Sequence, residues 1–306
     1  MSSNIFGPVP SRRLGRSLGI DLIPFKTCTY DCIYCQLGRT TEKTVERRSW
    51  VDLDAVLESL REKVSSKPDY ITLGGSGEPT LHGQIGELID RVKAITDIPV
   101  AVLTNGSLLW KAEVRRQLMR ADLVIPSLDA GDETMFRLVN RPHADLSFGE
   151  MLEGLIDFRR EFRGRYWLEV FLLGGYSALA DDFARIVQCV ERIRPDRVQV
   201  NTVARPPAET YAMAVPPQRL NDFASRFHPP AEVIADFDDI HSQTEFVAGR
   251  EEILELLRRR PCSIAGIAAG LGMHRNEIVK YVEDLAAQEQ LEKKVVGTEV
   301  HYFVPS

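Results

Sequence analysis

Cys28, Cys32 and Cys35 stand within eight residues, in Cys28-Thr-Tyr-Asp-Cys32-Ile-Tyr-Cys35, whereas Cys189 and Cys262 are isolated. Five cysteines so unevenly placed in 306 residues make no disulfide framework, and clustered thiols point first to a metal. Thiolates hold iron–sulfur clusters, ordinarily four to a cubane, so three leave one iron open to another ligand. The competing reading is structural zinc, which is four-coordinate and commonly built from two short pairs. Its fourth ligand would be His82 or a distant cysteine. Three inert core cysteines are the remaining alternative.

Other residues at the ends of apolar runs have the chemistry of ligand contacts. Gly74-Gly75-Ser76-Gly77-Glu78-Pro79 closes one such run, and glycines there let backbone approach a ligand closely, since no Cβ intervenes. A simple turn is the plainer account of the same residues. Asn105 lies in Leu-Thr-Asn-Gly, where it is otherwise a turn residue. Ser127 and Asp129 follow a further run and would otherwise be caps, and Asn201 would otherwise be a buried strand amide. Glu169 is a lone charge inside an apolar run, the mark of a barrel interior or of a paired core carboxylate.

The elements that must position these residues follow from periodicity. Apolar runs at 18–24, 69–75, 99–106, 121–130, 166–175 and 197–203 are predicted strands. They alternate with helical spacing over 51–64, 85–95, 111–119, 149–162 and 181–193. Asp52 or Ser49 would cap the first helix. Six strands with helices between them imply parallel βαβ units. A closed eight-strand barrel needs about 250 residues, so the α/β class here is an open, partial (β/α)6 barrel over residues 1–203. Its reactive face is expected at the strands' C-terminal ends.

Residues 204–247 are proline-rich and weakly periodic, either an extension packed on the barrel or a linker. Residues 248–306 read as three helices (250–260, 263–272, 274–290) and a hairpin about Gly297, the order of a winged helix-turn-helix. Ser263 would cap the second helix, and Gly272 would turn into the third.

The chain is 44% hydrophobic and 27% charged, with net charge −6. That is ordinary for a folded soluble protein, and without long runs of one sign it argues against a generic polyanion binder. The first fifteen residues lack the apolar core of a signal peptide, and no stretch approaches a membrane span. A reducing cytoplasm and no membrane partner are the expectation.

The C-x3-C-x2-C spacing, with aromatic Tyr34 before the third cysteine, resembles the radical S-adenosylmethionine (SAM) superfamily over about residues 17–203. The resemblance implies a [4Fe–4S] cluster on Cys28, Cys32 and Cys35 with SAM on the open iron. It places Tyr34 near the adenine and gives Gly74 and Gly75 SAM's amino group. Asn105, Ser127 (favoured over Asp129) and Asn201 would meet SAM from the neighbouring loops. The chain departs from the superfamily's GGE-like motif by setting Ser76 and Gly77 before Glu78. Reductive cleavage of SAM to a 5′-deoxyadenosyl radical acting on an unidentified substrate is the implied activity, fed by an electron donor such as a flavodoxin or ferredoxin.

Gly7-Pro-Val-Pro-Ser-Arg-Arg-Leu-Gly15, with Gln36-Leu-Gly38, resembles an uncharacterised radical SAM subgroup similar to tRNA wyosine synthases. Wyosine-type tRNA base modification is therefore a second expectation. Arg12, Arg13 and Arg16 would either hold an anionic substrate or be solvated, the simpler account. In a DNA-binding winged helix, His274, Arg275, Asn276 and Lys280 would face the groove, making an iron–sulfur redox-sensing regulator the third expectation. Residues 248–306 carry eight Lys/Arg and nine Asp/Glu, a net of −1 without a basic footprint. A peptide or protein contact, or packing within the chain, is favoured over nucleic acid.

Overall fold

The computed structural model describes residues 4–11, 13–235, 250–271, 273, 275–296 and 299–305. Arg12, residues 236–247 of the extension, Gly272, His274 and Gly297 lie outside the described residues, as do the side chains of Arg275, Asn276 and Lys280. The chain opens with β1 (Ile5–Ser11), β2 (Gly15–Ile20), β3 (Thr27–Cys28) and β4 (Glu42–Lys43). It continues through α1 (Leu53–Lys63), β5 (Tyr70–Leu73), α2 (Ile85–Ile95), β6 (Val100–Thr104), α3 (Ala112–Leu118) and β7 (Leu123–Pro126). Then come α4 (Glu133–Val139), α5 (Phe148–Glu161), β8 (Arg165–Phe171), α6 (Ala180–Ile193) and β9 (Arg197–Asn201). The extension supplies α7 (Pro217–Ala224) and β10 (Glu232–Val233). Last are α8 (Arg250–Arg259), β11 (Cys262–Ser263), α9 (Ile264–Leu271), α10 (Arg275–Ala287), β12 (Glu292–Val296) and β13 (Glu299–Phe303).

The six expected strands are β2 and β5 to β9, all parallel neighbours in one sheet ordered β1-β2-β5-β6-β7-β8-β9-β10. Two further strands extend it. β1 joins antiparallel to β2, and β10 joins parallel to β9. The two edges do not meet, so the barrel stays open. The described part of the extension is thus packed structure, closing the sheet's far edge, and not a linker.

Period-two alternation gives the strands two different faces. Leu18, Ile20, Ile71, Leu73, Val100, Val102, Val124, Leu168, Val170, Val198 and Val200 belong to one large buried cluster shared with the helices. Their neighbours face inward, and part of that inner face is a second apolar cluster of Leu14, Ala101, Leu123, Ile125 and Trp167. Tyr70 and Leu103 pack against it, and small or polar residues on the same face include Ser17, Gly19, Thr72, Glu169, Gln199 and Asn201. Ser17 and Thr72 share a hydrogen bond of 2.5 Å between their hydroxyls.

Helix starts follow the local sequence. Asp52, not Ser49, caps α1 by accepting from Asp54 N (2.9 Å). Ser147 and Glu150 bracket the start of α5, and Ser263 caps α9 by accepting from Gly266 N (3.2 Å). In the C-terminal part, α8 to α10 surround their own core of Ile253, Leu257, Ile267, Ile278 and Leu285, beside a sheet ordered β11-β13-β12. Val9 of β1 packs against that core, so this part leans on the barrel's antiparallel edge. Among the described residues, no helix is long and apolar enough to cross a membrane.

A Cβ on Gly19 would lie 2.1 Å from the Phe6 ring, whereas one on Gly149, near the start of α5, would meet nothing within 4 Å. Gly19→Ala is expected to destabilise by about 1–3 kcal/mol through overpacking. Gly149→Ala should stabilise by about 0.5–1 kcal/mol. Urea denaturation of both variants checks the pair; equal effects would contradict the β1–β2 packing.

Candidate active site

The segment between β2 and α1 carries the three clustered cysteines, and backbone bonds stitch it to its surroundings. Lys26 N donates to Ser76 O (2.7 Å), Glu78 N to Thr27 O (3.2 Å) and Ile33 N to Val139 O (3.0 Å). The thiols of Cys28, Cys32 and Cys35 are free and half-buried. N–H groups are aimed at them: Asn105 Nδ2 lies 3.6 Å from Cys28 Sγ, and Asn140 Nδ2 lies 3.4 Å from Cys32 Sγ. Backbone N–H groups of Thr29 and Tyr30 serve Cys28, and that of Leu37 serves Cys35.

Burial pushes all three thiols up. Cys28 reaches about 12 with the Glu78 carboxylate adding to the effect, and Cys32 is held well above the usual thiol range by burial and by Asp129. Bare thiols in this setting keep their protons, and iron binding would have to release them. Three thiols from one loop, each met by N–H donors that suit a thiolate, fit a cluster with three cysteine ligands. Among the described residues, no group of three His, Cys, Asp or Glu side chains is placed to hold a single ion. His82, the fourth ligand required by the zinc alternative, instead accepts from Gln84 N at Nδ1 (3.2 Å), with Nε2 3.3 Å from Val51 O. Cys189 and Cys262 are buried in two different apolar clusters.

Beside the cysteines runs the glycine loop. Gly74 and Gly75 both hold φ of +143°, a region that favours glycine. The two residues that separate them from Glu78 have work of their own. Ser76 N donates to Asp21 Oδ1 (3.0 Å), and Gly77 lies so close to the cysteine segment that a Cβ would sit 1.8 Å from Thr27 O. Glu78 is buried, and its carboxylate accepts from Thr80 N (3.0 Å), Thr80 Oγ1 (2.5 Å), Thr104 Oγ1 (2.6 Å) and Asn105 N (2.7 Å). Three of these donors meet Oε1 and one meets Oε2. Glu78 therefore shapes the rim by tying the glycine loop to the end of β6.

Asn105 follows β6 and links Glu78 to the cysteines, its Nδ2 also donating to Thr29 Oγ1 (2.7 Å). Ser127 is half-buried on the same rim, at the end of β7. Asp129 is buried and faces protein: it accepts from the Tyr34 hydroxyl, from Asn140 Nδ2 (2.9 Å) and from Phe171 N (3.2 Å). Ser127 is therefore the better placed of the two for a ligand. The Tyr34 ring stacks on Phe171, centroids 4.0 Å apart. Asn201 Nδ2 donates to Glu169 Oε1 (2.8 Å), and Glu169 pairs with Arg13 (2.8 Å) inside the barrel. Glu169 is thus both interior and paired. The solvated reading fails for Arg13, whose side chain is only 12% exposed.

A cavity of about 550 Å³ opens along the inner face, from Gln36 and Gly75 on the rim to Thr72 and Arg13 below. Leu256 and Arg259 of α8 form its far wall. Arg259 lies over the Phe6 ring (3.8 Å to the centroid) and pairs with Asp21, the residue that holds Ser76 N. Sequence reasoning passed over Asp21, Asn140 and Arg259. Asp21 carried the same signal as Glu169, a lone charge in an apolar strand; the other two gave none.

The profile of the Radical SAM superfamily matches residues 22–188. A protein of Brachyspira hyodysenteriae named GTPase Obg is 38% identical over 99% of this chain, which spans 45% of that protein's length. A UPF0026 protein of Helicobacter pylori is 31% identical over 96% of this chain and 95% of its own. In structure, a radical SAM methyltransferase from Sphaerobacter thermophilus superposes with a TM-score of 0.54 at 17% identity, covering 71% of this chain and 65% of its own. The last likeness is one of fold.

Two measurements test this geometry. Removing one partner of the Asp21–Arg259 pair, half-shielded as it is, should cost about 2–3 kcal/mol. Asp21→Asn combined with Arg259→Met should cost clearly less than the two singles summed, as read by a double-mutant cycle. Burial lifts Asp129 from 3.8 to about 6, against the Tyr34 and Asn140 donors. Its folded carboxyl stays protonated where the unfolded one ionises, so its contribution is present at low pH and lost as pH rises through about 6. Asp129→Asn in the metal-free protein should therefore give a shallower fall in stability between about pH 4 and pH 7; an unchanged slope would contradict the assignment.

Proposed function

The chain belongs to the radical SAM superfamily, whose cofactors are SAM and a [4Fe–4S] cluster, and on that premise we propose that it cleaves SAM reductively to act on an unidentified substrate. In this reading Cys28, Cys32 and Cys35 each hold one iron, and SAM takes the open one. Bound together, the cofactors supply a 5′-deoxyadenosyl radical by one-electron cleavage of SAM. The observation that carries the reading is the convergence of three free thiols, their N–H donors and the glycine loop on one rim of the open barrel.

The chain's own residues do the positioning. Gly74 and Gly75 would offer backbone to SAM's amino group, with Ser127 and Asn105 on neighbouring loops. Asp129 holds Tyr34 and Asn140 in place, and Glu78 holds Asn105. The cavity beneath the rim is roomy enough for a small molecule, one base or one side chain, and α8 closes it on the side away from β9. Wyosine-type modification of a tRNA base draws on residues 7–15 and on that size.

For residues 250–305, three helices with a three-stranded antiparallel sheet support a winged-helix reading. The elements α8 and α9 are spent on β1, so packing within the chain already accounts for part of this region. The wing, with Val295 66% exposed, is left for a peptide or protein partner. A reductant such as a flavodoxin or ferredoxin would complete the set of partners. Because α8 walls the cavity, a purely DNA-binding role for this region is disfavoured.

Protein reconstituted without oxygen should bind about four irons per chain and, with dithionite and SAM, release 5′-deoxyadenosine and methionine. Alanine at Cys28, Cys32 or Cys35 should abolish product and lower iron content, while alanine at Cys189 or Cys262 should leave both. A zinc-loaded, iron-free protein with full activity would overturn the proposal.

A further inference from the structure

Gly74 and Gly75 have no side chains to hold them, so the glycine loop is fixed by its neighbours. Gly74 N donates to Ile20 O (3.2 Å), Lys26 N to Ser76 O (2.7 Å) and Ser76 N to Asp21 Oδ1 (3.0 Å). The first two fastenings come from β2 and the cysteine segment. The third reaches further, because the other oxygen of Asp21 pairs with Arg259, the last residue of α8. Asp21 is 8% exposed. A Cβ on Gly75 would lie 2.4 Å from Asp21 Oδ1 and 3.3 Å from the Phe6 ring. The Gly75 backbone therefore rests on that carboxylate and that ring. Arg259 holds both, pairing with the carboxylate and lying over the ring, 3.8 Å from its centroid.

We propose that Arg259 is a positioning residue of the SAM site: through Asp21 and Phe6 it fixes the backbone of residues 74–76 in the conformation that receives SAM. The inference rests on the function proposed above and adds α8 to the parts that build the cofactor site. A carboxylate bound at both oxygens cannot swing about its Cβ–Cγ bond without losing a charge-assisted hydrogen bond. Two consecutive glycines supply no such restraint themselves. Without Arg259 the Asp21 carboxylate stays largely buried with its partner gone, and the loop spends less time in the competent conformation. SAM affinity then falls by that fraction.

The test is the Kd for SAM, read by equilibrium dialysis against reconstituted, iron-loaded holoprotein. Arg259→Met should bind iron as the wild type does and weaken SAM binding by about fivefold or more. In SAM cleavage the loss should fall on KM for SAM more than on kcat. Arg259→Lys keeps the charge without the planar stack, and should recover part of the affinity. In an Asp21→Asn background, Arg259→Met should change the Kd by less than about twofold. Arg258→Met removes a different ion pair of the same helix, with Glu251 (3.0 Å), and should leave SAM binding unchanged. Coupling is reciprocal, so SAM should slow amide hydrogen exchange in α8 of the unaltered holoprotein. That measurement serves where Arg259→Met assembles poorly. Iron-loaded Arg259→Met with wild-type SAM affinity would overturn the inference, as would equal weakening by Arg258→Met or α8 exchange that SAM leaves unmoved. Wild-type holoprotein that binds no SAM would overturn the function proposed above and this inference with it.

Discussion

Burying a carboxylate costs several kcal/mol unless its lone pairs are met, and Glu78 meets them with donors from three places at once. Thr80 belongs to the turn after the glycine loop, Thr104 to the end of β6, and Asn105 to the loop beyond it. Asn105 then reaches Thr29 and Cys28. One satisfied charge therefore sets the distance between the glycine loop, the third strand's end and the first cysteine. Asp129 repeats the device on the other side, joining Tyr34, Asn140 and β8, with Asn140 reaching Cys32. Losing either carboxylate would take an acceptor from several buried donors at once.

The sheet makes such a site affordable by dividing its faces. The outward residues of β2 and β5 to β9 are apolar and meet the helices, which leaves the inward residues free to be small or polar. Gly19, Ser17 and Thr72 keep the upper lumen open, and Arg13 pairs with Glu169 where a charge would otherwise be stranded. The C-terminal helices finish the enclosure. Their own core holds them together, yet Arg259 ties them to Asp21 and, through it, to Ser76 of the glycine loop. The region drawn as a separate unit after residue 247 is in physical contact with the cofactor-side rim.

Much of this was legible in the chain. Six strands, their order and the helices α1, α2, α3, α5 and α6 follow from periodicity, because a residue's side of a strand or helix is decided by local spacing. The cysteine motif, Gly74, Gly75, Asn105 and Ser127 fall on one rim because a parallel sheet brings all strand ends to the same side. Strands β1 and β10 were not legible: β1 holds three glycines and prolines within seven residues, and β10 is only two residues long. Helix α4, seven residues long, lacks the sustained repeat that periodicity needs.

The sequence by itself determined what is local or repeated: the clustering of three thiols, the alternation of strands and helices, and the cap at Ser263, with the first helix's cap narrowed to Asp52 or Ser49. Tertiary structure alone decided which of these polar residues are held by other protein groups. Glu78, Asp129 and Asn201 have the residue types of cofactor contacts, and in the fold their polar atoms are met by other side chains and backbone. Arg13 has the look of a solvated charge and is paired within the barrel. Such roles depend in part on partners as far as 156 positions away along the chain, and no spacing rule within one element carries that information.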